Sequence, residues 1–187
     1  MLAILEKPEV LRHALPLSIE AYEQLAALDL VAPNTELIRG VVFEKTSKAP
    51  LHSGLVQYLV ELLRPHLPAG SSIRSEQPLR FDDSCPEPDI AIVFGEPRQF
   101  LRQHPTTALM VIEIAVSSEA LDREKAGIYA QAGIAEYWIV FPELLTIECL
   151  TQPSLDGYAH HTLYTADQRV TSEVLPSFAV NLKDLLA

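Results

Sequence analysis

LMVIEIAVSSEALDREKAGIYAQAG, residues 109–133, decides the fold. Its first half is an aliphatic run of the kind that fills the middle of a buried strand, with Glu113 at its centre. Side chains alternate along a strand, so Val111, Glu113 and Ala115 share one face. An unpaired carboxylate on such a face would cost several kcal/mol or more to desolvate. The second half, from Leu121 to Ala132, reads as a helix that stops at Gly133, a residue suited to the position after a helix C-terminus. A buried acid on a strand is thus followed at once by a helix that carries Lys125.

Working outward, EYWIVF and LTIECL read as two further strands, with Pro142 and Glu143 in the turn between them. Upstream, SSIRSEQ and DIAIVF are strand-like, and residues 98–107 read as a surface loop. HSGLVQYLVELLRPHL, residues 52–67, places Leu55, Val56, Leu59, Val60, Leu62 and Leu63 on a helical stripe that ends near Pro65 or Pro68. LSIEAYEQLAAL reads as a short helix capped by Ser18, and TELIRGVVFEK as a hairpin turning at Arg39 and Gly40. GYAHHTLYT and FAVNLKDLL complete the pattern. The order predicts an α/β (α+β) domain, a mixed β-sheet flanked by helices.

At 187 residues the chain is most simply one domain with a sizeable core. No apolar run reaches the ~20 residues of a membrane helix, and the N-terminus lacks the pattern of a secretory signal. Cys85 and Cys149 have no metal-type spacing, so two reduced thiols in a cytoplasmic protein is the plain expectation. The net charge of −11 argues against general coating of nucleic acid, which runs on neutralised phosphates. A nuclease with a local basic face is still allowed, because bound divalent cations offset carboxylate charge.

Three positions carry chemistry. Asp89 follows Pro88 at the start of DIAIVF, Glu113 lies in the strand ALMVIEIAV, and Lys125 lies in the helix that follows. If the two strands are neighbours, both carboxylates project from one end of the sheet, where they repel unless one is protonated or a cation lies between them. Mg²⁺ or Mn²⁺ would resolve the conflict, and the ammonium of Lys125 would orient water or steady developing negative charge.

PD at a strand start and E-x-x in the next strand resemble the PD-(D/E)XK nuclease superfamily, whose core is a mixed sheet flanked by helices. In its common form a lysine stands two residues after the glutamate; here that position is Ala115. More closely, TELIRG, the His52 of APLHSGLVQYLVELL, EPDIAIV, VIEIAVSS, DREK and G-x-x-EYWIV resemble a large bacterial family of restriction-endonuclease-like proteins of unknown function, in which the lysine has moved to the following helix. The resemblance implies a restriction-endonuclease-like core over about residues 17–151, with C-terminal strands and tail at 152–187. It implies a Mg²⁺-dependent (or Mn²⁺-dependent) endonuclease acting on DNA, with Asp89 and Glu113 as metal ligands at the strands' exposed end and Lys125 as the assisting cation. Glu36, His52 and Tyr129 are auxiliary candidates, for the metal shell, phosphate contact or proton transfer, and a hydrogen bond to Lys125 or phosphate. Superfamily members often pair, so a homodimer is possible. Many relatives carry an acid near the position of Phe141, which reads here as structural.

Each residue also has an ordinary reading. Asp89 serves as a turn aspartate, Glu113 as an ion-paired acid with Arg123, and Lys125 as a solvated lysine. Tyr137 and Trp138 read as core aromatics, Gln131 as solvated, and Asp122 as favouring the helix dipole. His160 and His161 point to opposite faces of a strand and so do not form a metal pair. Two other functions stay open: a non-catalytic binding or scaffold protein on a nuclease fold, and a hydrolase of small phosphorylated molecules.

Overall fold

The computed structural model describes residues 7–45, 49–116 and 118–187. Part of the N-terminal stretch read for a signal, and Ser117 of VIEIAVSS, lie outside the described residues. By its contacts the chain forms two compact units, one of Met1–Lys45 with Asp82–Cys85, the other of Thr46–Phe81 with Pro86–Ala187.

The first unit holds α1 (Pro8–Leu11), α2 (Ile19–Ala27) and the antiparallel hairpin of β1 (Thr35–Ile38) and β2 (Val41–Glu44). Ser18 caps α2 as expected, its Oγ accepting the Ala21 amide at 3.2 Å. Arg39 and Gly40 both have positive φ, 47° and 75°, the pairing that two-residue hairpin turns favour. Ile19, Tyr22, Leu37 and Cys85 form the core of this unit.

The second unit is built on a six-stranded mixed sheet in the order β3 (Ser71–Ser75), β4 (Ile90–Phe94), β5 (Met110–Ile114), β6 (Glu136–Phe141), β7 (Thr146–Ser154), β8 (Gly157–Thr165). Only β5 and β6 run parallel, and α4 (Glu119–Gln131) makes the crossover between them. Their apolar runs are continuous because both faces are covered. Ile112, Ile114, Trp138 and Val140 pack toward Leu55, Leu59 and Leu63 of α3 (Pro50–Leu63) and Leu182 and Leu185 of α5 (Leu182–Leu185). Val111, Ala115, Tyr137 and Ile139 pack toward Tyr129 of α4. Tyr137 and Trp138 are thus core residues, as read.

A small antiparallel pair, β9 (Val170–Thr171) and β10 (Ala179–Val180), completes the unit. Buried Glu136 ties the following turn to β6, accepting Trp138 Nε1 at 2.7 Å, Ser172 Oγ at 2.6 Å and the Val174 amide at 3.0 Å. Two boundaries differ from expectation. Helix α3 starts at Pro50, two residues early, because proline suits the first turn, where its missing N–H is not needed. Strand β7 runs to Ser154 through Pro153, which lies beyond the last partner on β6 and pairs only toward β8.

Candidate active site

Register brings the site together. In the antiparallel β4–β5 pair Ile90 faces Ile112, so Asp89, one residue before β4, falls opposite Glu113. The Asp89 amide donates to Glu113 Oε2 at 3.0 Å, and the Ile114 amide donates to Asp89 Oδ2 at 2.7 Å. Both carboxylates are thereby fixed against backbone. On the other side, Ser75 faces Ile90, which places Glu76 beside Asp89; the Glu76 amide donates to the Asp89 carbonyl at 3.1 Å. From the first turn of α3, His52 Nε2 lies 3.0 Å from Asp89 Oδ1. One ligand atom each from His52, Glu76 and Asp89 lies within 4.8 Å of the others.

Helix α4 covers Glu113. Lys125 Nζ donates to Glu113 Oε1 at 3.1 Å, and the Tyr129 hydroxyl donates to the same oxygen at 2.9 Å. The two residues lie one turn apart and so share a helix face. Small Ala115, directly after β5, packs in the cluster that contains Tyr129. Lys125 also lies 3.4 Å from Asp122 Oδ1, and Ser118 donates its hydroxyl to Asp122 Oδ2. Burial pushes the Asp122 carboxyl above its usual range; Lys125 and the Ser118 bond pull the other way, and the Asp89 charge adds to the rise. Tyr137, whose hydroxyl donates to the Asp122 carbonyl at 2.8 Å, is raised well above the ordinary phenol range by burial, with the Glu113 charge adding.

Asp89, Glu113, Lys125, His52 and Tyr129 are therefore brought into one hydrogen-bonded cluster. Glu36 belongs to the first unit, where it is buried on β1 opposite Phe43. Two expectations are corrected. Glu113 is not at an exposed strand end: it is 3% exposed and engaged by the Asp89 amide, Lys125 and Tyr129, with its charge met by Lys125. Arg123 pairs with Glu119 and Glu148 rather than Glu113. Asp122, read as a dipole residue, is buried at 2% exposure within the cluster. Glu76 was missed altogether; its signal was a carboxylate directly after a strand that pairs with the one Asp89 precedes.

Two carboxylates and an imidazole suit a hard or borderline divalent cation, since Mg²⁺ and Mn²⁺ take oxygen ligands and Mn²⁺ accepts nitrogen more readily. The donor set therefore fits such an ion, and the buried ammonium of Lys125 adds positive charge beside it.

Residues 19–183 match the family model Uma2, described as "Putative restriction endonuclease". No protein with curated function matches the chain. Among solved structures, a protein from Anabaena variabilis described as a "putative nuclease" superposes with a TM-score of 0.74. It is 18% identical, and the match covers 91% of this chain and 97% of that one, which establishes a shared fold.

Proposed function

This chain belongs to the Uma2 family, and from that premise we propose that it is a divalent-metal-dependent endonuclease that hydrolyses phosphodiester bonds in DNA. The observation that carries the reading is the meeting of His52, Glu76 and Asp89 beside the buried Glu113–Lys125 pair. Asp89, His52 and Glu76 would hold Mg²⁺ or Mn²⁺. When bound, such an ion polarises a phosphoryl oxygen and lowers the pKa of a water. Asp89 offers Oδ1 because Oδ2 is occupied by the Ile114 amide. Glu113 is the second acid of the reading: it fixes the Asp89 backbone and aims Lys125. The Lys125 ammonium, held by Glu113 and Asp122, is the group that steadies negative charge developing on the phosphate. Tyr129 shares Glu113 Oε1 with Lys125 and so limits that ammonium's freedom. Two buried thiols, Cys85 and Cys149, agree with a cytoplasmic setting, and no helix among the described residues is long and apolar enough to cross a membrane.

Calorimetric titration with Mn²⁺ and Mg²⁺, paired with cleavage of supercoiled plasmid, tests this. Mn²⁺ is expected to bind more tightly than Mg²⁺, and Asp89→Asn and Glu76→Gln should each weaken binding by about tenfold or more. Lys125→Ala should retain the ion and lose about 10²–10³-fold in cleavage, the usual worth of one charge-stabilising donor. Undiminished metal-dependent cleavage by Asp89→Asn would refute this centre. Metal binding without cleavage of any DNA would favour the non-catalytic binding protein instead.

A further inference from the structure

At the opposite end of β4 and β5 from the carboxylates lies a cleft of about 480 Å³. Its walls include Phe94, Phe100, Gln99, Gln103, Thr106 and Thr107. The volume falls among pockets that take drug-sized ligands, ~300–1,000 Å³, and is ample for a nucleobase. Phe94 is 73% exposed and so leaves most of its ring open to a ligand in the cleft. Phe100 is covered on one face by the Arg74 guanidinium, 5.4 Å from the ring centroid.

The charge around this cleft departs from the rest of the chain. The protein carries a net −11, yet between Glu96 and Glu113 there is no acidic residue, while Arg98, Arg102 and His104 fall in that stretch. Arg98 and Arg102 are exposed and alternate with the cleft residues Gln99 and Gln103. Arg74 reaches the segment through His104 Nδ1 at 3.2 Å, and the Arg80 amide donates to the Pro105 carbonyl at 2.8 Å. The carboxylate of Glu96, the nearest acid in sequence, is engaged in a capping box with Gln99.

The segment is also ordered before any ligand arrives. Residues Pro97–Phe100 form a 3₁₀ turn, Thr107 donates to the Ala132 carbonyl at 2.9 Å, and the Gly95 amide donates to the Gly70 carbonyl at 2.7 Å. Pre-ordered binding groups lose little entropy on association.

We propose that this cleft receives one base of a nucleic-acid strand, with Phe94 as its stacking face and Arg98 and Arg102 meeting the flanking phosphates. Every base has a π-face for a phenyl ring, and the Gln and Thr side chains both donate and accept toward base edges. A polyanion is the ligand that complements an arginine-bearing, acid-free segment on an acidic protein. From Asp89 to Phe94 is five residue steps along the β4 direction, roughly 17 Å at ~3.3 Å per residue. That distance equals about five nucleotides at the 3.4 Å axial rise of a duplex strand. The inference rests on the nuclease reading only in taking the ligand to be nucleic acid.

Fluorescence anisotropy with a labelled single-stranded 12-mer, in EDTA so that cleavage plays no part, tests it. Phe94→Ala, at an exposed position, should weaken binding by about 5- to 100-fold with the salt dependence unchanged. Arg98→Ala/Arg102→Ala should lower the salt slope by about 1.4, at ~0.7 per phosphate for single strands. Circular dichroism checks that both variants stay folded. Wild-type affinity in both variants, or no binding by the wild type at low salt, overturns the proposal even if metal-dependent cleavage is intact. A mononucleotide competing as well as the 12-mer, molecule for molecule, also overturns it. Weakened binding in both variants, with no cleavage by the wild type in any metal, supports the cleft and removes the nuclease reading instead.

Discussion

Glu113 shows how one buried charge is made tolerable and useful together. Donors from Asp89, Lys125 and Tyr129 converge on its carboxylate, which accepts up to about four. Lys125 in turn serves two acids, Glu113 and Asp122, so this triad carries more negative than positive charge when fully ionised. The upward displacement of Asp122, driven first by burial, is the physical consequence. Lys125→Met should therefore cost about 3–5 kcal/mol above neutral pH, since breaking a buried pair leaves charge uncompensated. The sign with pH follows from linkage. A carboxyl whose folded pKa is raised lends its full stability below the unfolded value, 3.8 for Asp122, and loses it as pH rises through the folded pKa. Removing the ammonium raises the Asp122 carboxyl further, so the deficit of Lys125→Met should be small near pH 4.5 and grow toward pH 8. Urea unfolding of both proteins across that range measures it; a deficit that does not change with pH would show that Lys125 acts by packing alone.

At the scale of elements, the β5–α4–β6 passage was legible because strand and helix periods differ and Gly133 punctuates them; its φ of 72° is the left-handed value that favours glycine after a helix. The Ser18 cap and the Arg39–Gly40 hairpin were legible for the same local reasons. Glu76 was not, because its place beside Asp89 depends on the β3–β4 register, a non-local fact that no window of sequence holds. What covers Glu113 was likewise hidden: a strand pattern says that it is buried and which face it takes, and only α4 packing says what meets its charge. The 3₁₀ turn at Pro97–Phe100 overlaps residues 98–107, whose sequence reads as surface loop, since the capping box uses Glu96 and Gln99 outside any apolar period. That turn depends on Gly95. At φ 129° an added Cβ would stand 2.7 Å from Gln99 Oε1 and 2.8 Å from Phe100 Cζ. Gly95→Ala should displace the turn and weaken oligonucleotide binding about as much as Phe94→Ala does, while leaving Mn²⁺ affinity within twofold of wild type. Equal losses of metal and oligonucleotide would indicate general unfolding rather than a local change in the cleft.

Over the whole molecule, a net charge of −11 sets the terms on which any polyanion approaches. Repulsion between exposed charges is screened beyond ~8 Å at physiological salt, so the groups nearest the bound strand decide affinity. Two places among the described residues temper the chain's overall sign: the acid-free segment that carries Arg98 and Arg102, and the His52–Glu76–Asp89 group, whose two carboxylates a divalent ion would neutralise. The second can be switched at will. A divalent charge ~4 Å from a phosphate at a water-like dielectric is worth about 2 kcal/mol, or roughly 30-fold in affinity. Duplex DNA should therefore bind about that much more tightly in Ca²⁺, added to probe charge without rapid cleavage, than in EDTA at equal ionic strength. Asp89→Asn removes a negative charge from the same place and should bind DNA slightly better than wild type in EDTA, yet gain little from Ca²⁺. Anisotropy titrations of the two proteins in the two buffers give the four affinities. An equal calcium effect in both would mean that the ion acts elsewhere on the surface, and the carboxylate cluster would then have no part in holding the strand.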